Sequence, residues 1–206
     1  MTNWDARSED YLLSLGFSKY KKTKYVMLNQ DIFYYLSFEG IKNNIDVWYV
    51  FHPLVLPELS PNKGWSGGAG GIPSKPLSIE NDSDIPGVQL LLKECLQNSL
   101  PKLLAKASSL EGLSEMYNLN QFPKGNYPKL VCYLAAKRYD KAKEVLQWLM
   151  SNFDQHPQGD DVKSVINYLS TLETPREIEQ WLEQQKELNL KHLSLVRLYK
   201  QVKSLS

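Results

Sequence analysis

Three runs of aromatic and β-branched residues constrain this chain most: KYVMLNQ at 24 to 30, IFYYLSFE at 32 to 39 and IDVWYVF at 45 to 51. Such side chains suit a pleated, half-buried surface. The connections, Asn29-Gln30-Asp31 and Gly40 to Asn44, are polar and turn-compatible. Short links join antiparallel neighbours, because a parallel crossover needs about a dozen residues or more. The runs therefore predict an antiparallel meander. In the second, Ile32, Tyr34, Leu36 and Phe38 share one face, and Phe33 and Tyr35 take the other. In the third, Ile45, Val47, Tyr49 and Phe51 stand opposite Trp48 and Val50. Both faces are apolar, so helices or another layer should cover the sheet.

The flanking sequence is helical. Trp4, Tyr11, Leu12 and Leu15 fall on one side of a short helix over 4 to 15, and Gly16 offers a left-handed stop. After Gly87, Val88, Leu91, Leu92, Cys95 and Leu96 form a stripe that Pro101 breaks or kinks. Ser99 is placed to cap a continuation through Lys106, and another helix is expected near 109 to 118. Residues 127 to 153 read as two helices joined near Tyr139-Asp140, with Asp140 capping the second. This hairpin is similar to a tetratricopeptide-type pair, but no second copy follows at about 34 residues, so a repeat array is not supported. A helix over 161 to 172 comes next. Thr174-Pro175-Arg176-Glu177 then combines a capping box with proline at the first helical position. It leads into Ile178, Trp181, Leu182 and Leu188, with a terminal helical segment near 191 to 203. The expected fold class is α+β. An antiparallel aromatic sheet with an N-terminal helix and a long Gly/Pro-rich loop (53 to 86) occupies residues 1 to 86. A helical region, 87 to 206, packs on it or extends from it.

Between Pro53 and Pro86 lie five of the 11 glycines and six of the 11 prolines, so the segment is expected to be mostly irregular, with Leu54 to Leu56 as a candidate short strand. Irregular segments of this length inside a domain are usually functional or disordered. Gly64-Trp65-Ser66-Gly67-Gly68 matches the G-x-S-x-G pattern of a serine-hydrolase nucleophile turn. That turn needs a buried strand directly before the serine and a helix directly after it. Pro57 to Lys63 separates Ser66 from any strand, and glycines and Pro73 follow where the helix should start. A phosphate loop fails as well, because Lys75 follows Ser74 and precedes Pro76, and proline occupies the third glycine position counted from Gly68.

The remaining candidates are sparse. His52, His156 and His192 form no ligand or catalytic spacing, and Cys95 and Cys132 read as free buried thiols of a reducing compartment. No catalytic, cofactor-binding or metal-binding residue is assigned. Lys19, Lys21, Lys22 and Lys24, with Tyr20 and Tyr25, suggest a nucleic-acid platform. Basic and acidic side chains balance over residues 1 to 52, however, and the chain of 206 residues carries a net charge of +1. No cationic field builds, so nucleic acid is disfavoured as a partner and the lysines read as a solvated lead-in to a strand. The N-terminus has no signal-peptide pattern and no membrane span of about 20 apolar residues occurs, so a soluble cytoplasmic protein is expected.

The long segment carries a different signal. Glu58, Glu80, Asp82 and Asp84 outnumber Lys63 and Lys75, for a local charge of −2. Trp65 is flanked by glycine and serine, which can bury little of it. Either Trp65 folds back onto its own sheet, or it anchors a protein partner, since tryptophan is enriched among interface hot spots. In the second case Glu80, Asp82 and Asp84 steer a basic partner. Residues 186 to 206 run the other way, with five Lys/Arg against one acid, as the exposed face of a terminal helix or a second contact surface.

The stretch LGFSKYKKTKYVMLNQDIFYYLSF, 15 to 38, resembles a bacterial domain-of-unknown-function family. Its members open with a helix, a Gly-Phe pair (here Gly16 and Phe17), a lysine-rich lead-in (Lys19, Lys21, Lys22) and a strand pair with glutamine (Gln30). The style of the chain is similar to that of immunity proteins, including those of contact-dependent growth inhibition, and transfers no site residues. The resemblance implies a non-enzymatic protein-binding role, with a toxin domain as partner. The alternatives are a hydrolase-type enzyme whose residues converge from distant segments, and a nucleic-acid-binding module.

Overall fold

The computed structural model of the protein describes residues 4–21, 24–41, 44–57, 77–78, 95–117, 123–152 and 160–204. Helix α1 (Trp4–Ser14) leads into strands β1 (Ser18–Lys21), β2 (Lys24–Asn29), β3 (Ile32–Ile41), β4 (Asn44–Pro53) and β5 (Leu77–Ser78). They form one sheet in the order β1-β2-β3-β4-β5, every neighbouring pair antiparallel. The meander expected from the three aromatic runs is present. β3 and β4 pair without a slip from Ile32↔Pro53 to Ile41↔Asn44. Gly16 takes a φ of +92° just after α1, the left-handed conformation that glycine adopts without a Cβ penalty.

Both faces of the sheet are covered. On one, Tyr25, Ile32, Tyr34, Leu36, Tyr49 and Phe51 meet Leu12 of α1, Phe17 and the helices that follow Cys95. These are α2 (Leu100–Lys106), which continues a π-helical turn at Cys95–Ser99, and α3 (Leu110–Met116). On the other face, Val26, Leu28, Phe33 and Tyr35 share a core with the helices of the C-terminal half. They are α4 (Pro123–Ala135), α5 (Tyr139–Asn152), α6 (Asp160–Ser170), α7 (Pro175–His192) and α8 (Val196–Lys203). The alternation along each strand thus sorts side chains into two cores, as a sheet between helical layers requires.

Several local expectations are corrected. Ser18–Lys21, read as a solvated lead-in, is itself a strand paired with β2. Leu54 to Leu56 form no strand; they lie in a buried turn where the Leu56 amide donates to the Pro53 carbonyl. Ser99 caps nothing with its side chain, because its backbone is already helical (φ −93°, ψ −46°). Pro101 lacks an N–H and its ring crowds the carbonyl four residues back, and the wide π turn accommodates that misfit without ending the helix. The α4–α5 corner falls at 136 to 138, where Lys137 turns left-handed (φ 57°) and the Arg138 amide donates to the Tyr133 carbonyl. Asp140 therefore sits in the first turn of α5, not at its cap.

Candidate functional site

Trp65, Ser66, Glu80, Asp82 and Asp84 lie outside the described residues, as do Lys22, His156, residues 88 to 94 and the side chain of Cys95. Two stretches of the long segment are described, its start at 53 to 57 and Leu77–Ser78, and both are held. At its start, the side-chain amide of Asn189 on α7 donates to the carbonyls of Leu54 and Leu56, at 2.7 Å each. The Leu54 amide donates to the Asp31 carbonyl in the β2–β3 turn at 2.6 Å. Further along, β5 pairs with the opposite end of β4 through Asn44↔Ser78 and Ile45↔Leu77. The chain thus departs at one end of β4 and is recaptured at the other, about 30 Å apart at the rise of a ten-residue strand.

α7 also grips the β2–β3 turn. Lys186 reaches Asp31 at 3.2 Å and Glu183 at 2.8 Å from a largely buried position. Burial, the largest single influence, works against its charge, but the bonds to Glu183 and Asp31 together outweigh it and its pKa is raised. Lys186 and Asn189 continue the helical spacing of Leu182, so polar residues stand where the helical period calls for apolar ones. That mismatch is the one local signal of this clamp, and sequence reasoning misses it.

A second polar cluster lies at the edge of β4, which α3 and α4 cover. The Tyr117 hydroxyl donates to the Phe51 carbonyl at 2.8 Å and stands 3.3 Å from His52 Nδ1. With its proton given to the carbonyl, that oxygen is left to accept, which fits the Nδ1–H tautomer of His52. Lys129 donates to the Tyr117 carbonyl at 3.3 Å and rests over the Tyr133 ring. His52 is 3% exposed, Tyr117 4% and Cys132 0%. Burial pushes the His52 imidazole down to about 4 and the Tyr117 hydroxyl and Cys132 thiol well up. All are held uncharged at neutral pH and sealed from solvent, the state of groups that tie a core together. His192, by contrast, is exposed in the last turn of α7.

The lysine run divides between the two faces of the sheet. Lys19 bonds Glu9 of α1 at 2.6 Å and holds that carboxyl below its usual range. Lys21 and Lys24 pair opposite one another across β1 and β2. Among the described residues, no three of His, Cys, Asp and Glu gather as metal ligands would. No described helix is long and apolar enough to cross a membrane. No family model, no curated protein and no solved structure matches the chain.

Proposed function

We propose that the protein acts by binding another protein, and in the sharpest form of this reading neutralises a bacterial toxin by direct contact as an immunity protein. The observation that carries it is the holding of the long segment on either side of Trp65, by Asn189 at Leu54 and Leu56 and by β5 on β4. Binding residues sit disproportionately on loops that a rigid scaffold positions. Trp65 is the contact anchor in this reading, and Glu80, Asp82 and Asp84 supply the charge that meets a basic partner. The uncharged, sealed state of His52, Tyr117 and Cys132 supports a structural role for the cluster at the β4 edge.

The test begins with affinity capture on the tagged chain, with mass spectrometry to identify what is retained. Calorimetry with that partner then compares the wild type with Trp65→Ala and with Asp82→Asn/Asp84→Asn. Loss of the tryptophan should weaken binding roughly 30-fold, the scale of an interface hot spot. Unchanged affinity in both variants would remove the segment from the interface.

A further inference from the structure

The sheet is built from segments that pair readily with other chains. Residues 25 to 29, 32 to 38 and 45 to 51 are rich in aromatic and β-branched side chains, lack proline and glycine, and carry a single charge, Asp46. Segments of that composition stack into cross-β ladders wherever an open edge lets them. In the folded chain both faces of the sheet are covered, so the hazard falls on its edges. On one side, α3 and α4 cover β4 where β5 does not pair with it. On the other side β1 is the outermost strand, and among the described residues no strand pairs with its outer edge.

β1 is a poor template for a further strand. It is four residues long, with Lys19 and Lys21 exposed and Ser18 and Tyr20 half-buried. Its register with β2 shifts between Lys19 and Lys21, an irregularity that interrupts the regular ladder. Tyr20 packs against the core on the α4–α8 side, which holds the strand in place. Lys19 is tied to Glu9 of α1 at 2.6 Å, and the Lys21 ammonium lies 5.5 Å from the centre of the Tyr20 ring. Short length, lysines and an interrupted ladder are the features that keep a sheet edge from pairing.

We infer that β1 is an edge guard, which keeps the aromatic sheet from adding a strand of a second copy of the chain. Antiparallel pairing of two copies along β1 would crowd the lysines of both into one short ladder, where opposed like charges are destabilising. Four residues supply few main-chain bonds to offset that repulsion. Glu9 neutralises Lys19 in part, so Lys21 carries more of the guard. The inference stands apart from the protein-binding reading and holds whether or not a partner docks at the long segment.

Sedimentation velocity over a wide range of concentration tests it, joined to hydrogen exchange of the β1 amides. Lys19→Thr/Lys21→Thr keeps residues that suit a strand and removes the charge. Its apparent mass should rise with concentration toward at least twice that of the monomer, and exchange at the β1 amides should slow as it does. Lys21→Thr alone, which leaves the Lys19–Glu9 tie in place, should show the same association at higher concentration. Lys19→Arg/Lys21→Arg should sediment as the wild type does. Lys102→Gln/Lys143→Gln, which lowers the net charge equally but away from the edge, should do so too. Threonine variants that are folded and as monomeric as the wild type would overturn the inference. So would equal association in the Lys102/Lys143 control, or association that leaves exchange at the β1 amides unchanged. Self-association of the wild type with protected β1 amides would overturn it as well.

Discussion

Asn189 shows how much one side chain can fix. Its amide is buried and serves two carbonyls of the turn that ends β4. Asn189→Leu would strand both acceptors in the core, at about 1–3 kcal/mol for each group left unsatisfied. Urea unfolding should show that loss as a lower midpoint with an unchanged slope. His52 makes a prediction with a definite sign. Its folded pKa of about 4 lies below the ordinary value of 6.5, so between those limits the unfolded chain binds the extra proton. Stability is then fully retained above about pH 6.5 and falls as pH drops toward 4, by about 1.4 kcal/mol per pH unit. Unfolding free energies at pH 6.5 and 5 should differ by on the order of 2 kcal/mol more in the wild type than in His52→Gln. An equal pH dependence in the two proteins would contradict the buried, neutral imidazole.

At the level of elements, two helix starts differ in how they tolerate change. The α7 capping box is complete: Thr174 Oγ1 accepts from the Glu177 amide at 3.3 Å, and Glu177 accepts from the Thr174 amide at 2.9 Å. Thr174→Ala should cost about 1 kcal/mol. At α3, Ser109 accepts from the Gly112 amide, and a Cβ on Gly112 would stand 2.2 Å from the Lys106 carbonyl oxygen. Backbone must move to admit it, so Gly112→Ala should destabilise more than Thr174→Ala; thermal melts of the two variants check the order. The capping box is legible in the sequence because its residues are local and their spacing is fixed. Strands β2 to β4 are legible for the same reason, through alternation and short turns. β1 is not, since Ser18-Lys19-Tyr20-Lys21 is too short and too charged to show a core face of its own. The α4–α5 corner is misplaced by sequence because Lys137, not glycine, takes the left-handed position there.

For the whole molecule, the apolar content of both strand faces foretells the covering layers, while the long-range ties stay hidden. Lys186 meets Asp31, Asn189 meets Leu54, and Tyr117 meets Phe51 across sequence separations that no local pattern encodes. The proposed recognition residues Trp65, Glu80, Asp82 and Asp84 rest on sequence; Trp65 lies between the two held stretches, and the three acids follow β5. Buried ties and recognition residues should therefore separate experimentally. Calorimetric affinity for the captured partner, measured for Trp65→Ala/Asp82→Asn/Asp84→Asn and for Tyr117→Phe, tests that separation most directly. The first variant should lose affinity at least roughly 30-fold with stability intact. The second should keep wild-type affinity while losing about 1–3 kcal/mol of stability with its bond to Phe51. Full affinity in the first, with weakened binding in the equally folded second, would contradict the account.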